Sequence, residues 1–158
     1  MNYFILILAT GFGAGYSPIA PGTLGTLLAI PIYYFLSEMS SPLYELTLIT
    51  FFFLSSWISG RAQQYFGKKD DQRIVIDEMM GFFITVLWVT KTPLLILVGF
   101  ILFRFFDILK PFPIRRFEKV RGGFGVVLDD VLAGIYSNII LQIISSYFTL
   151  SPGGRGAG

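Results

Sequence analysis

Three long stretches of this sequence contain no charged residue, and they restrict the chain to a fold that lies in a bilayer. They cover residues 3–37, 46–60 and 131–154. About 20 apolar residues are enough to cross the hydrocarbon region as a helix, and no soluble core of this size needs so much apolar chain. Only 14% of the 158 residues are charged and 54% are hydrophobic, which agrees with a membrane protein.

Glycine and proline divide the apolar sequence into six helical segments. They cover residues 2–15, 24–37, 43–60, 78–90, 93–109 and 130–150. The third and the last are the best spanning candidates, the fourth is short, and Pro31 is expected to kink the second. The sequence therefore predicts an all-α, polytopic membrane helical bundle with about four to six membrane-embedded helices, some of them short or kinked.

The chain is expected to form a single domain. Residues 1–150 would make up one membrane-embedded unit, and residues 151–158, which have no apolar pattern, a disordered tail. The start carries no Lys or Arg of the kind that opens a signal peptide, so the N-terminus is expected to be retained.

The basic residues are concentrated at one end of the predicted bundle. If all six segments cross, residues 17–23, 61–77 and 110–129 share one side of the membrane. They contain nine of the twelve Lys and Arg residues, and Arg104, near the end of the fifth segment, is a tenth close to that side. By the positive-inside rule that side is cytoplasmic. The chain is therefore expected to be a multi-pass protein of the bacterial inner membrane. Residues such as Arg61, Lys68 and Arg115 are interpreted as topology determinants that can also attract anionic bilayer lipids.

The absence of histidine and cysteine excludes several kinds of chemistry. Phosphohistidine and phosphocysteine intermediates, Ser-His-Asp hydrolysis, disulfides and imidazole-based zinc sites are all ruled out. Carboxylates, hydroxyls, Lys, Arg and a metal remain. Nothing in the sequence indicates recognition of nucleic acid.

Charged residues interrupt the apolar sequence between positions 103 and 130. Arg104, Asp107 and Lys110 are spaced three apart, so neighbouring members share one side of a helix. Charges at membrane depth are costly and usually functional. The plainer interpretation is an ion pair between Arg104 and Asp107 that only stabilises the helix.

Two further acidic pairs lie at predicted helix starts. Asp129 and Asp130 follow a glycine-rich loop, and Asp77 and Glu78 precede another apolar run. Adjacent carboxylates suit a hard cation such as magnesium. Asp129 can instead cap a helix, and Asp77 and Glu78 can instead compensate a helix dipole.

Two other polar segments carry weaker signals. The loop at 17–26 places Thr23 as the expected N-cap of the second segment, and the amides near Gly22 and Thr23 can bind phosphate. A simple turn explains that loop equally well. Asp70 and Asp71 lie in a polar run and are interpreted as part of a solvated loop, outside the site.

Four blocks in order resemble the bacterial phosphatidylglycerophosphatase A family, magnesium-dependent membrane phosphatases that make phosphatidylglycerol. The blocks are GFGAGYSPIAPGTLGT at 11–26, IVIDEMMGFF at 74–83, FRFFDILKPFPIRRFE at 103–118 and GGFGVVLDDVLAG at 122–134. Thr26 replaces an expected serine but keeps a hydroxyl, and the Met pair at 79–80 is unusual.

The resemblance implies an active site facing the cytoplasm that hydrolyses the terminal phosphomonoester of phosphatidylglycerophosphate. Its metal ligands and catalytic residues would be five carboxylates, Asp77, Glu78, Asp107, Asp129 and Asp130, holding one or two magnesium ions. Arg104 and Lys110, with Gly22 and Thr23, would bind the substrate phosphate. The expected nucleophile is a metal-activated water, and a phosphoaspartate intermediate is the competing possibility.

Two other functions remain open from the sequence. A small channel or ion-coupled transporter would also place ionisable residues in the membrane, although its site is expected near the midplane. An alcohol phosphotransferase shares the metal chemistry, but the chain lacks the extended Asp-rich pattern associated with those enzymes. The oligomeric state is not predicted.

Overall fold

The computed structural model describes residues 3–68, 71–117, 120 and 122–150, with side chains up to residue 147. These residues form seven α-helices and one 3₁₀-helix, and no strand occurs among them, so the all-α prediction is confirmed. The helices are α1 (Tyr3–Ala9), α2 (Pro21–Leu36), α3 (Ser41–Phe66), α4 (Ile76–Thr85), α5 (Pro93–Leu109), α6 (Ile114–Phe117) and α7 (Gly123–Leu150), with the 3₁₀-helix at Ala14–Tyr16. The predicted tail at 151–158 lies outside the described residues.

Glycines with positive φ set two helix ends that the sequence analysis misplaced. After α1, Gly11 and Gly13 have φ of 54° and 99°, so the helix predicted to reach residue 15 ends at Ala9. Conversely, α3 continues past residue 60 to Phe66. There Gly67, at φ 68°, donates its amide hydrogen to the carbonyl oxygen of Gln63 at 3.0 Å and ends the helix.

The last helix begins at Gly123, well before the predicted start at residue 130. The glycine run was interpreted as a loop, but Gly123 is a packing residue. A Cβ at that position would collide with the carbonyl oxygen of Ser56 on α3. The small residue lets the α3 and α7 backbones approach closely, so Asp129 and Asp130 lie about two turns inside α7.

The short helix α4 lies at the centre of the bundle. It contacts α2, α3, α5 and α7, most extensively α7. Its own residues are mostly buried, including Phe82 and Phe83 at 0% and 1% exposure. Ten residues give about 15 Å of helix, half of a hydrocarbon core of about 30 Å, so α4 cannot cross a bilayer.

The contact between α4 and α7 is made by glycine. A Cβ on Gly134 would collide with the carbonyl oxygen of Gly81, and a Cβ on Gly81 would lie 2.7 Å from the carbonyl oxygen of Asp130. The two helix backbones therefore pack directly against each other. This contact holds the start of α4 beside the part of α7 that carries Asp129 and Asp130.

Two helices are long and apolar enough to cross a membrane, by length and composition. They are Ser41–Phe66 and Gly123–Tyr147, the two that the sequence marked as the best candidates. Helix α2 is shorter at Pro21–Leu36 and continues through Pro31. Together the three helices supply much of the apolar surface of the bundle.

Candidate active site

The predicted polar residues meet in one cleft at a single end of the bundle. The cleft has a volume of about 520 Å³ and is bounded by the start of α2, the segment between α3 and α4, the end of α5 and the first turns of α7. Three chain segments predicted to share one side of the membrane therefore do come together. The lining residues are Pro18, Ala20, Pro21, Gly22, Lys68, Asp71, Gln72, Ile74, Asp77, Glu78, Arg104, Asp107, Ile108, Lys110, Asp129 and Asp130.

Three of the carboxylates form a compact cluster. One oxygen from each of Asp77, Glu78 and Asp130 lies within 4.8 Å of the others. Asp77 and Asp130 are 3% and 5% exposed. One of the two Glu78 carboxylate oxygens, Oε2, is buried and accepts no hydrogen bond from any residue that the structure describes. Three converging oxygen ligands and an unsatisfied carboxylate oxygen suit a hard divalent cation.

The other two predicted acids are held by basic side chains. Arg104 Nη1 lies 2.6 Å from Asp107 Oδ2, three residues further along α5. Lys110 Nζ donates to Asp129 Oδ2, also at 2.6 Å, and so connects the end of α5 to α7. The ion pair considered for Arg104 and Asp107 is present, and it lies inside the cleft, beside the carboxylate cluster. Both pairs thus line the same cleft as the carboxylate cluster.

Helix α7 gives its two adjacent aspartates different partners. Asp129 binds Lys110 and accepts the backbone amide hydrogen of Asp130 at 3.2 Å, whereas Asp130 belongs to the carboxylate cluster. The interpretation of Asp129 as an N-cap is wrong, because the helix starts at Gly123 and the two aspartates lie in its interior. Asp77 and Glu78 do lie in the first turn of α4, as predicted.

The Glu78 carboxyl group has a strongly raised pKa. Burial raises the pKa of Glu78 to about 8 from an ordinary value of 4.5. The charges of Asp130 and Asp107 add to the rise, while Asp77 and Arg104 oppose it. The protein itself therefore supplies too little positive charge to keep this carboxylate ionised. A bound cation would supply the missing charge.

The start of α2 contributes glycine rather than a capping hydroxyl. Gly22 packs so closely that a Cβ would collide with Glu78 Oε1 and would lie 3.1 Å from Arg104 Nη1. The helix begins at Pro21 after Ala20, so the prediction of Thr23 as N-cap is wrong. Proline suits the first helical position because its missing amide hydrogen has no partner there anyway. Thr23 is not among the residues that line the cleft.

Two charged residues of the cleft wall were not predicted as part of the site. Asp71, interpreted as part of a solvated loop, is 7% exposed and pairs with Arg73 through contacts of 2.7 and 2.8 Å. Lys68, interpreted as a topology determinant, lines the same cleft. Their polar run looks like any exposed loop, and the only local signal is the Asp-x-Arg spacing of a short-range pair. Asp70 lies outside the described residues.

Comparison with known proteins identifies relatives along nearly the whole chain. Residues 7–145 match the family described as phosphatidylglycerophosphatase A. Proteins of that name from Escherichia coli and Haemophilus influenzae are 38% and 41% identical, over 91% and 89% of this chain and 85% and 88% of their own lengths. A Bacteroides thetaiotaomicron protein named "Putative phosphatidylinositol-3-phosphatase" is 39% identical over 90% of this chain and 94% of its own length. No solved structure matches significantly.

Proposed function

Since the chain belongs to the phosphatidylglycerophosphatase A family, we propose that it hydrolyses the terminal phosphomonoester of phosphatidylglycerophosphate to phosphatidylglycerol and inorganic phosphate. The observation that carries this proposal is the single cleft in which three clustered carboxylates lie beside two cation-bearing side chains. Hydrolysis of a phosphomonoester dianion requires a metal ion, which carboxylates can hold, to bind the phosphate oxygens. It also requires fixed positive charge, which the basic side chains supply, to stabilise the transition state. The enzyme is accordingly a phosphoric monoester hydrolase.

The proposed cofactor is magnesium, held by Asp77, Glu78 and Asp130. The fit rests on oxygen ligands within 4.8 Å of one another and on the buried, unsatisfied Oε2 of Glu78. When bound, magnesium would supply a Lewis acid that polarises the phosphoryl group and orients an attacking water. Asp107 and Asp129, predicted as further ligands, lie in the same cleft and are proposed to act mainly through their basic partners.

Arg104 and Lys110 are the proposed phosphate-binding residues. Each already lies 2.6 Å from a carboxylate, which fixes the position of its charge before substrate arrives. Preorganised donors of this kind stabilise a developing negative charge at little cost in reorganisation. A guanidinium and an ammonium at neighbouring positions can donate to different oxygens of one phosphate group.

The cleft favours water over aspartate as the nucleophile. Asp107 and Asp129 are held by Arg104 and Lys110, and the remaining carboxylates belong to the proposed metal cluster. We expect a terminal thiophosphate made chiral with oxygen isotopes to be hydrolysed with inversion of configuration at phosphorus, because a single in-line attack by water replaces the leaving group. Retention of configuration would instead indicate two displacements through a phosphoaspartate intermediate.

Substituting Lys110 by alanine should weaken the handling of phosphate while leaving the metal site in place. Lys110 contacts Asp129 and is not a member of the carboxylate cluster, so magnesium affinity should change little. We expect kcat/KM for phosphatidylglycerophosphate to fall roughly 10- to 100-fold, as for the loss of one charge-assisted hydrogen bond. Steady-state kinetics in mixed micelles, with magnesium titrated separately, measures both quantities. Unchanged kinetics would contradict the assignment.

The chain is membrane-associated, as its family and its two long apolar helices indicate. We further propose that it is a multi-pass protein of the bacterial inner membrane whose cleft faces the cytoplasm. The lining bases Lys68, Arg104 and Lys110 support that orientation through the positive-inside rule. Its proposed partners are the phospholipid substrate and bilayer lipids, with no nucleic acid.

The decisive experiment measures phosphate release by the purified chain in detergent. Phosphatidylglycerophosphate is supplied with magnesium and, in a parallel sample, with a chelator, and no ion gradient is present. Phosphate release that requires magnesium supports the proposal and excludes a purely transporting function. Because one relative is named for phosphatidylinositol 3-phosphate, that lipid is the second substrate to test. Its preferential hydrolysis would reassign the substrate without removing the phosphatase chemistry.

A further inference from the structure

Lys68 lies on the wall of the cleft, apart from the two bases that face the carboxylate cluster. It follows Gly67, whose left-handed backbone ends α3, and its side chain is among those that line the cleft. Arg104 and Lys110 each lie 2.6 Å from a carboxylate. Among the described residues, Lys68 makes no such ion pair. It therefore offers the cleft a positive charge that the carboxylate cluster does not already engage.

Residues 71–75, which come shortly after Lys68 in the chain, are fixed by contacts with two helices. Asp71 receives two hydrogen bonds from the Arg73 guanidinium, which also lies 3.9 Å from the ring centre of Phe66 on α3. Two residues later, the amide of Val75 donates to the carbonyl oxygen of Ala9 at 2.8 Å. Residues 71–75 are thus tied to α1 and to the end of α3, the helix that Lys68 follows.

The charge balance on this wall favours an anion. The Asp71 carboxylate is neutralised by Arg73, which lowers the pKa of Asp71, and the charge of Lys68 acts in the same direction. Arg73 does not itself line the cleft, but it offsets the charge of Asp71 and so leaves the positive charge of Lys68 in excess on this wall. An anionic group bound here would find a net positive charge and a flexible ammonium donor.

The proposed substrate has such a second anionic group. Phosphatidylglycerophosphate carries a terminal phosphomonoester and, across a glycerol unit, the phosphodiester that joins glycerol to the diacylglycerol. With the monoester bound by Arg104 and Lys110, the phosphodiester would lie one glycerol unit away from these two side chains. Phosphatidylinositol 3-phosphate has the same two kinds of phosphate on one polyol, whereas phosphatidic acid has only the monoester.

We propose that Lys68 binds the phosphodiester of the lipid and so selects substrates that carry a phosphomonoester on a polyol headgroup. The inference rests on the proposed phosphatase function and adds to it the residue that determines substrate class. It assigns Lys68 to the substrate in addition to membrane topology. Lys68 would thus affect the two classes of lipid differently.

The test compares two lipids and three variants. Hydrolysis of phosphatidylglycerophosphate and of phosphatidic acid is measured in mixed micelles for the wild type, Lys68→Ala, Lys68→Arg and Arg61→Ala. Arg61 is the matched control because it is exposed near the same end of α3, stacks 6.0 Å from the ring centre of Trp57 and does not line the cleft. Removal of either side chain changes the net charge equally.

For Lys68→Ala, we expect kcat/KM on phosphatidylglycerophosphate to fall about 10- to 100-fold, mainly through KM, with little change on phosphatidic acid. Lys68→Arg should restore most of the loss, and Arg61→Ala should resemble the wild type. Equal effects of Lys68→Ala on both lipids, or no effect on either, would overturn the inference while the proposed function stands. A wild type that releases no phosphate from phosphatidylglycerophosphate would instead overturn the proposed function itself.

Discussion

Glu78→Gln is expected to abolish magnesium-dependent turnover while leaving a folded protein. The change removes one negative charge and one ligand oxygen from the cluster of Asp77, Glu78 and Asp130, with almost no change in volume. Loss of groups that merely support a metal ligand typically costs 10- to 100-fold, so loss of the ligand itself should exceed about 100-fold in kcat/KM. Phosphate release at saturating magnesium measures the effect.

The matched control is Glu38→Gln, the same chemical change at an exposed residue outside the cleft. Glu38 is 81% exposed in its side chain and pairs with Lys91 at 3.3 Å. A surface pair of this kind contributes little, so activity and stability should stay near the wild type. Retention of more than half of the wild-type activity in Glu78→Gln would contradict the proposed ligand role.

Glu78→Gln should also change how the stability of the metal-free protein depends on pH. Because burial raises the pKa of Glu78 to about 8 in the folded state, the folded protein binds more protons than the unfolded chain between pH 4.5 and 8. The free energy of unfolding should therefore decrease as pH rises through that window. Glu78→Gln removes this contribution and should flatten the profile. Thermal unfolding in detergent with a chelator, at several pH values, measures the difference.

Gly81→Ala is expected to have the largest effect on stability. The added Cβ would meet the Phe103 ring and the carbonyl oxygen of Asp130, and the second of these is backbone that no rotamer change can move. Overpacking of a close contact costs about 1–3 kcal/mol, and a rigid neighbour places this change at the upper end. The same displacement would separate Asp77 and Glu78 from Asp130, so magnesium affinity should fall with stability.

Gly99→Ala is the control for that substitution. Gly99 also lies within a helix, but its nearest neighbour is the flexible end of Leu141, at 2.9 Å from the added Cβ. A small rotation of that leucine relieves the contact, and alanine has the better helix propensity. We expect the unfolding temperature to change little. Equal destabilisation by the two variants would show that the approach of α4 to α7 is not special.

Much of the fold could be predicted from the sequence because its main signals are local. Long apolar runs indicate helices, and the two longest became the two candidate spans. The start of α7 at Gly123 was missed because this glycine packs against the backbone of α3. The start of α2 at Pro21 was missed because the proline begins the helix. Both effects depend on the neighbouring residues in the fold. A run of glycines predicts a loop only where no other backbone segment packs closely against it.

The sequence predicts which charged residues line the candidate site, but not which of them contact one another. All five acids and both bases line the cleft, because charges are rare in this chain and few other positions could hold them. The division into a cluster of three and two ion pairs requires coordinates, since it depends on how α4, α5 and α7 are rotated. Asp71 was misread because a polar run has the same composition whether its aspartate is buried or solvated. The place of Lys68 on the cleft wall likewise requires coordinates.

The position of Asp129 and Asp130 inside α7 links the orientation of that helix to the geometry of the candidate site. Successive residues of an α-helix project about 100° apart, so the helix fixes the directions of the two side chains relative to each other. Asp129 points toward Lys110, and Asp130 points toward the carboxylate cluster. A loop would let both side chains adjust independently. In α7, a one-residue insertion or deletion between Gly123 and Asp129 would turn both carboxylates at once. Length changes in this region of the chain should therefore be tolerated before Gly123 and not after it.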